Sequence, residues 1–181
     1  MNGRNFSLQP FSPISPRLDI TMSGSIIRRA HKLAIRYELS GQLGKLVIPA
    51  PASTPARRHG LWQATCFEFF LGVKQARRYW EFNLSPAGDW NVYRFAAYRQ
   101  GVKEEMAFTS LPVSLRPEPD SVRLALEVDL GSIIPADQPL EVGIAAVIQL
   151  AGGGLTYWAL THGGLQPDFH RRDSFIVALS A

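Results

Sequence analysis

The sequence has only one cysteine, Cys66, among its 181 residues, so no disulfide bond can form within the chain. This is typical of proteins that fold in a reducing compartment. The first residues lack the apolar run of a secretory signal peptide. The longest apolar run, VGIAAVIQLA, is about half the length of a membrane-spanning helix. We therefore expect a soluble cytoplasmic protein with no membrane partner.

Basic residues occur singly or in pairs and never in a long block. The net charge is only +4, and the pairs are Arg28-Arg29, Arg57-Arg58, Arg77-Arg78 and Arg171-Arg172. Pairs of this kind usually serve as solvated surface groups, whereas nucleic-acid-binding segments carry runs of about five or more basic residues. We therefore expect no nucleic-acid partner.

Motifs of known catalytic and metal sites are also missing. The sequence has no G-x-S-x-G nucleophile motif, no cysteine pair, and no helical pattern after the glycine run AGGGL. His162 and His170 are eight residues apart, unlike the i, i+4 spacing of a helical zinc site. Glu68 and Glu81 could form a hydrolytic carboxylate pair on neighbouring strands, but structural and binding roles are more common for such residues. We expect no enzyme activity and no bound metal.

Apolar and polar residues alternate with a period of two along most of the chain, which is typical of strands with one buried face. In HKLAIRYEL, for example, Leu33, Ile35, Tyr37 and Leu39 share one face. Stretches rich in proline, glycine and serine, such as PAPASTP, SPAG and RPEPD, separate these segments. We predict a single all-β domain over residues 1–181. Its expected architecture is an antiparallel β-sandwich, jelly-roll or immunoglobulin-like, with about ten to twelve strands.

The segment YWEFNLSPAGDWNVYRF, residues 79–95, indicates a hairpin with a turn at SPAGD. If Leu84 faces Trp90 across the turn, alternate residues belong to opposite faces of the sheet. The predicted core face holds Trp80, Phe82, Leu84, Trp90 and Val92. The predicted opposite face holds Glu81, Asn83, Asn91 and Tyr93.

The polar face of this hairpin offers carboxylate, amide and phenol groups, and Glu68 joins them if its strand lies alongside. Carboxylates accept hydrogen bonds from hydroxyls, amides donate and accept, and aromatic rings cover apolar C–H patches. The face therefore suits a hydroxyl-rich ligand. It equally fits the solvated face of an ordinary antiparallel sheet. Trp62 and Trp158 lie near strand ends, where they either pack in the core or clamp a flat ligand.

Three blocks of the sequence are distinctive as a set, namely LWQATCFEFFLG, RYWEFNLSPAGDWNVYRFAAYRQG and YWALTHGGLQPDFHRRDSFIVAL. In this order, and together with the opening FSLQPF, they resemble the DOMON-like family along nearly the whole chain. That family is similar to the family-9 carbohydrate-binding modules and belongs to a wider group of haem- or sugar-binding sandwiches. The resemblance implies a β-sandwich that binds a ligand rather than catalysing a reaction.

The resemblance also implies roles for individual residues. Trp62 takes the position of one stacking ring and Trp158 that of a second, while Glu81 and Asn83 take positions of polar contacts. The closing block HRRDSF would flank the site. The complete predicted ligand-binding set is Trp62, Glu68, Glu81, Asn83, Asn91, Tyr93, Arg94, Trp158, His170, Arg171 and Asp173.

We therefore predict a non-catalytic protein that binds a carbohydrate or sugar-containing metabolite by aromatic stacking and polar contacts. The haem-binding relatives suggest an alternative, haem b held by a methionine and a histidine, although Met22 and Met106 lie in no motif of those relatives. A second alternative is a structural or partner-binding domain with no small ligand. The sequence predicts no other cofactor, has no dense Asp/Asn loop for calcium, and leaves the oligomeric state open.

Overall fold

Two antiparallel β-sheets make up nearly all of the regular structure. The computed structural model describes residues 2–12 and 18–180. Within them the strands are β1 (Asn2–Ser7), β2 (Gln9–Pro10), β3 (Ile20–Arg29), β4 (Lys32–Gly41), β5 (Leu46–Val47), β6 (Cys66–Val73), β7 (Tyr79–Leu84), β8 (Trp90–Phe95), β9 (Lys103–Glu104), β10 (Ser114–Pro117), β11 (Ser121–Asp129), β12 (Leu140–Leu150), β13 (Leu155–Ala159) and β14 (Val177–Leu179). Three 3-10 turns lie at Leu43–Lys45, Leu61–Gln63 and Arg172–Ser174. In these two ranges, no helix has the length and apolar character needed to cross a lipid bilayer.

The smaller sheet has the strand order β1-β3-β4-β11-β10, and the larger sheet has the order β2-β13-β12-β6-β7-β8-β9. The long strand β12 also pairs with the short strands β5 and β14, so it holds the larger sheet together. Of the fourteen strands in the described residues, three have only two residues, which leaves eleven longer ones. The predicted antiparallel β-sandwich with about ten to twelve strands is confirmed.

The space between the sheets is filled by alternate residues from both of them. Leu33, Ile35 and Leu39 of the smaller sheet are fully buried, and they belong to one cluster with Phe69 and Phe82 of the larger sheet. The rings of Phe69 and Phe82 stack with their centroids 4.4 Å apart. Each such side chain contributes about 1.5–3 kcal/mol when it leaves water. The period-two pattern of the sequence therefore identifies the core-facing residues of these strands.

The hairpin of β7 and β8 has the predicted register. Leu84 lies opposite Trp90, and Phe82 lies opposite Val92. The five residues predicted for the core face all belong to the cluster between the sheets. The other face pairs Asn83 with Asn91 and Glu81 with Tyr93, also as predicted.

The outer face of the larger sheet is covered too, whereas one face of an antiparallel sheet commonly contacts water. Side chains of β6, β7 and β8 that point away from the core form a second buried cluster with residues of β12, β13 and the segment 160–176. Its members are Phe70, Tyr79, Tyr93, Phe95, Ala145, Ala159 and Phe175, with Trp62 and Phe169 packed against them. The alternative interpretation of this face, as the ordinary solvated side of a sheet, is therefore wrong.

Two glycines allow the segment 160–176 to lie close to the sheet. A Cβ at Gly143 would stand 2.8 Å from the Phe175 ring, and a Cβ at Gly72 would stand 2.2 Å from the Arg172 guanidinium. The guanidinium of Arg172 donates to Glu141 at 2.8 Å and to the carbonyl oxygen of Val73 at 2.7 Å. Because these contacts anchor the end of the segment, its preceding residues are held over the outer face.

Candidate ligand-binding cleft

A cleft of about 610 Å³ opens on the outer face of the larger sheet. The residues near 60 form one wall, and strand β13 with the segment 167–170 forms the other. Its lining residues are His59, Trp62, Gln63, Glu68, Glu81, Tyr93, Phe95, Arg99, Val102, Val147, Leu155, Tyr157, Pro167, Phe169 and His170. This volume lies within the range of roughly 300–1,000 Å³ that small-molecule sites occupy. Trp62 and Glu81, from separate predicted elements, thus line one cleft.

Two carboxyl groups, those of Glu68 and Glu81, form the floor. Glu68 lies opposite Asn83 on the neighbouring strand, so Glu81 is its diagonal neighbour on the same face. Asn83 donates a hydrogen bond of 2.9 Å to Oε1 of Glu81. The Oε1 atom of Glu68 has no hydrogen-bond partner in the part of the chain that the structure describes. A buried oxygen without a partner is rare in native proteins and calls for an explanation.

Burial and mutual repulsion act on the protonation of this pair. Burial raises the pKa of Glu68 well above its ordinary value, and the charge of Glu81 raises it further. Burial also raises the pKa of Glu81 to about 7, against the opposing effects of the Asn83 hydrogen bond and the Arg99 charge. Two adjacent buried carboxyls cannot easily both ionise. We therefore expect the empty cleft to hold a proton on the pair at neutral pH.

Aromatic rings form the walls. Trp62 is partly exposed and stands edge-on to His59 and Tyr93, with ring centroids 5.1 Å and 5.9 Å away. The Nδ1 atom of His59 lies 2.9 Å from the Tyr93 hydroxyl and thereby fixes both rings. On the other wall the rings of Tyr157 and Phe169 are tilted against each other at 6.2 Å. The cleft thus has a carboxyl floor between aromatic walls.

The rim carries an arginine whose charge is balanced. Arg99 donates to Asp168 at 2.9 Å, and the Tyr98 hydroxyl donates to the same carboxylate at 2.5 Å. His170 lies behind them, with its Nδ1 atom 2.9 Å from the Tyr79 hydroxyl and its Nε2 atom 3.8 Å from Glu81. Burial and then the Arg99 charge lower the pKa of His170 to about 4. We therefore expect His170 to be neutral at pH 7.

Five residues of the predicted set line this cleft. They are Trp62, Glu68, Glu81, Tyr93 and His170. Asn83 and Asn91 face the correct side of the sheet, but both are fully buried beneath the loops. Asn91 accepts from Arg57 at 2.7 Å and donates to Glu104 at 2.8 Å, so its amide is occupied by the protein itself. The expectation that these two amides are open to a ligand is corrected accordingly.

Trp158 and Arg94 lie away from the cleft because of the strand alternation. Trp158 pairs with Ala146, whose side chain faces the core, and is itself only 4% exposed in the cluster between the sheets. Its indole nitrogen donates to the hydroxyl of Thr156 at 3.0 Å. Arg94 pairs with Trp80 on the core side, and its guanidinium lies 3.9 Å from Glu105. The placement of these two residues at the site is wrong.

Arg171 and Asp173 also lie outside the cleft lining. They form an ion pair with each other at 2.5 Å, in which Arg171 is partly exposed and Asp173 is exposed. Of the closing block, His170 alone among these three residues lines the cleft. The expectation that Arg171 and Asp173 contact the ligand is not supported by their position.

Sequence reasoning missed the other ten lining residues, including four that form the walls and rim described above, His59, Arg99, Tyr157 and Phe169. For Tyr157 a signal existed, because it alternates with Trp158 along β13 and therefore points to the opposite face. The other three lie in loops without any period. Of the methionines considered for haem, Met22 is buried in the core and Met106 is exposed, and neither lines the cleft. The described residues contain no group of three or more His, Cys, Asp or Glu side chains that could hold a metal ion.

We predict that Glu68→Gln stabilises the ligand-free protein at high pH. A carboxyl whose folded pKa is raised binds more protons in the folded than in the unfolded state, so its presence lowers stability as pH rises above about 4.5. Removing it should raise the melting temperature by roughly 3–6 °C at pH 8 and by much less at pH 5. Thermal unfolding at both pH values is the measurement. Glu127→Gln, the same change on an exposed site of β11, should alter neither value, and a lower melting temperature for E68Q at pH 8 would contradict the assignment.

The chain is similar to known proteins in its fold. No protein-family model matches the chain, and no curated protein matches its sequence. A predicted carbohydrate-binding protein from Bacteroides uniformis has a similar structure, with a TM-score of 0.68, 18% sequence identity, and coverage of 98% of this chain and 85% of that chain. At this identity the likeness shows a shared fold.

Two further structures are of a family 9 carbohydrate-binding module from Caldicellulosiruptor kristjanssonii. The complex with glucose has a TM-score of 0.46 and 15% identity and covers 83% of this chain and 73% of that chain. The complex with cellotriose has a TM-score of 0.47 and 14% identity and covers 83% and 71%. The resemblance to the DOMON-like family stays a prediction.

Proposed function

We propose that the protein binds a small saccharide or sugar-containing molecule in this cleft and releases it unchanged. The proposal depends on one observation, that an aromatic ring and a pair of buried carboxyl groups line the same cleft. The partly exposed ring of Trp62 and the carboxyl pair of Glu68 and Glu81 line the same cleft of about 610 Å³. A ligand that fills this cleft must present an apolar face and polar groups at once.

A sugar ring matches these two surfaces chemically. Its C–H groups form apolar patches that pack on aromatic rings, and its hydroxyls both donate and accept hydrogen bonds. The unpartnered Oε1 of Glu68 would accept from one hydroxyl, which would relieve the cost of leaving it unpaired. The structural neighbour from Bacteroides uniformis, described as carbohydrate-binding, supports the same choice of ligand.

Binding without reaction fits the remaining groups. The only cysteine, Cys66, is fully buried, and burial raises the pKa of its thiol well above the ordinary value, which opposes a role as nucleophile. His170 is the base nearest to Glu81, but its Nδ1 side is occupied by the Tyr79 hydroxyl. We therefore assign the carboxyl pair to recognition rather than to acid–base catalysis.

The proposal is tested by calorimetric titration with a panel of mono- and disaccharides, alongside tryptophan fluorescence. We expect at least one saccharide to release or absorb heat and to shift the emission, because the Trp62 ring would lose water on binding. If no sugar gives a response at concentrations up to about 10 mM, the proposal is overturned, because a dissociation constant above that concentration is weaker than ordinary recognition. Chromatography of the sugars after incubation checks the second half, since any hydrolysis product would show that the ligand is transformed.

A further inference from the structure

We propose, on the basis of the binding role argued above, that the ligand carries a basic amine, as an amino sugar does, and that its ammonium group lies on the Glu68–Glu81 floor. A neutral saccharide would then be the weaker ligand. The inference rests on the geometry of the floor, the absence of a protein cation beside it, and the aromatic walls around it.

The floor places two buried acids side by side with no fixed counter-charge. Glu68 is 3% exposed and Glu81 is 6% exposed. Within residues 2–12 and 18–180, neither carboxylate forms an ion pair with a lysine or an arginine, and the nearest basic group is His170 at 3.8 Å from Glu81. Buried acidic groups are normally paired with a cation or hydrogen-bonded on every oxygen. One oxygen of Glu68 has neither.

An ammonium group satisfies this floor better than a hydroxyl does. A hydroxyl donates one hydrogen bond and leaves the repulsion between the two carboxyls in place. An ammonium group has three donors and a full positive charge, so it can bond to both carboxyls and offset one of their two negative charges, taking the place of a proton. On its binding the pair would release the proton that it otherwise holds.

The walls and the rim favour a cation as well. The faces of tryptophan and tyrosine attract cations, and Trp62 and Tyr93 stand next to the floor. The only Lys or Arg among the described lining residues is Arg99, whose charge is balanced by Asp168 at 2.9 Å. The cleft therefore has no uncompensated protein cation that would repel an amine.

The pH dependence of binding should come from the carboxyl pair. Burial raises the pKa of Tyr79 and of Tyr93 to about 12 and raises those of Tyr37 and Cys66 well above their ordinary values, so these groups stay neutral between pH 5 and 8. The pKa of His170 is lowered to about 4. Arg99 and Asp168 remain charged and balanced. His59 stands at the mouth beside Tyr93, so its contribution is measured separately with a His59→Gln variant.

The test compares amino sugars with their neutral counterparts by calorimetry at pH 7 and pH 5. The probes are D-glucosamine, D-galactosamine and D-mannosamine, each against the parent sugar and its N-acetyl derivative, which has the bulk without the charge. We expect at least one amino sugar to bind about tenfold more tightly than its parent at pH 7, which is about 1.4 kcal/mol. The advantage should shrink at pH 5, where the pair is protonated, and titrations in buffers of different ionisation enthalpy should reveal proton release.

Variants assign the effect to the floor. Glu68→Gln, which should fold well because it removes a buried acid, should reduce the tenfold preference to about twofold, because it weakens binding of the amino sugar much more than binding of the parent sugar. The His59→Gln variant should keep the preference. An unchanged preference in E68Q would overturn the assignment of the amine to this floor.

The outcomes separate the two proposals. If a neutral sugar binds as tightly as every amino sugar, or more tightly, the amine inference is wrong while saccharide binding stands. If no sugar of either kind binds, saccharide binding itself fails. If ethanolamine or choline binds but no sugar does, the saccharide proposal fails. The floor would then still prefer a cation, but the ligand would not contain a sugar ring.

Discussion

Replacing Trp62 with alanine should weaken the binding of a saccharide in the cleft by roughly 30-fold, about 2 kcal/mol. Trp62 offers a partly exposed indole ring that faces the same space as Glu81. Removing it takes away the apolar plate on which a sugar ring would pack and opens that wall to water. The ring lies at the edge of the second buried cluster, so the fold itself should lose little stability. Calorimetric titration with the best ligand of the panel measures the effect.

Trp158→Phe is the matched control for this variant. It removes an indole from the same protein, but Trp158 lies between the sheets and has no contact with the cleft. We expect unchanged affinity in Trp158→Phe, with a lower melting temperature because its core packing is altered. Equal loss of affinity in both variants would mean that the Trp62 effect arises from general destabilisation, and the stacking role would have to be abandoned.

Replacing Arg57 with alanine should lower the free energy of unfolding by about 3 kcal/mol and the melting temperature by roughly 6–12 °C. Its guanidinium donates to Asn91 at 2.7 Å, to the carbonyl of Glu105 at 3.0 Å and to the carbonyl of Phe108 at 2.7 Å. It also lies over the ring of Trp90, 4.4 Å from the centroid. One side chain therefore joins three segments, and its loss leaves partly buried acceptors without a donor.

Arg58 provides a control at the next position. Its guanidinium pairs with Asp89 at 2.7 Å, and the side chain of Arg58 is 60% exposed whereas that of Asp89 is 12% exposed. Because Asp89 also accepts from the backbone N–H of Ala56, it keeps one partner when Arg58 is removed. Arg58→Ala should therefore cost about 1 kcal/mol, clearly less than Arg57→Ala. Urea or thermal unfolding of both variants decides the point. A loss for R57A no larger than that for R58A would show that the three hydrogen bonds of Arg57 add little stability.

This pair of arginines shows where sequence reasoning succeeds and where it stops. The doublet Arg57-Arg58 predicts two solvated surface groups, and Arg58 behaves in that way. Arg57 instead turns inward, because Asn91 and two loop carbonyls lie within its reach. Its partners are 34 or more residues away along the chain, so no local pattern could reveal them.

The fold and the hairpin could be predicted from the sequence because the alternation of apolar and polar residues has a fixed physical meaning. In β7 and β8 a shift by one residue would bury Glu81 and expose Trp80, so the register follows from the pattern alone. In LTYWA two aromatic residues are adjacent, and either could be the core residue. Trp158 is the core residue because it pairs with Ala146, whose side chain faces the core, and only the folded sheet defines this pairing.

The covering of the outer face could not be predicted from the sequence, for a different reason. It is formed by three apolar residues outside the strands, Trp62, Phe169 and Phe175, which lie in separate parts of the sequence and follow no common period. Single apolar residues in loops are ordinary surface features in most proteins. Here they pack on the sheet together, which buries Asn83 and Asn91 and leaves a cleft over Glu68 and Glu81.

The arrangement of the cleft walls has a consequence for the order of folding. Its rings come from residues near 60 and near 169, and they meet only after β12 has paired with β6 and with β13. The pairing of β6 with β12 joins segments that are distant in the chain, and such pairings form slowly, because the chain must close a long loop before any contact stabilises it. A refolding molecule can thus have native hairpins and still lack the site. Recovery of ligand affinity should therefore lag behind recovery of strand content, so a bound sugar would report the last step of refolding.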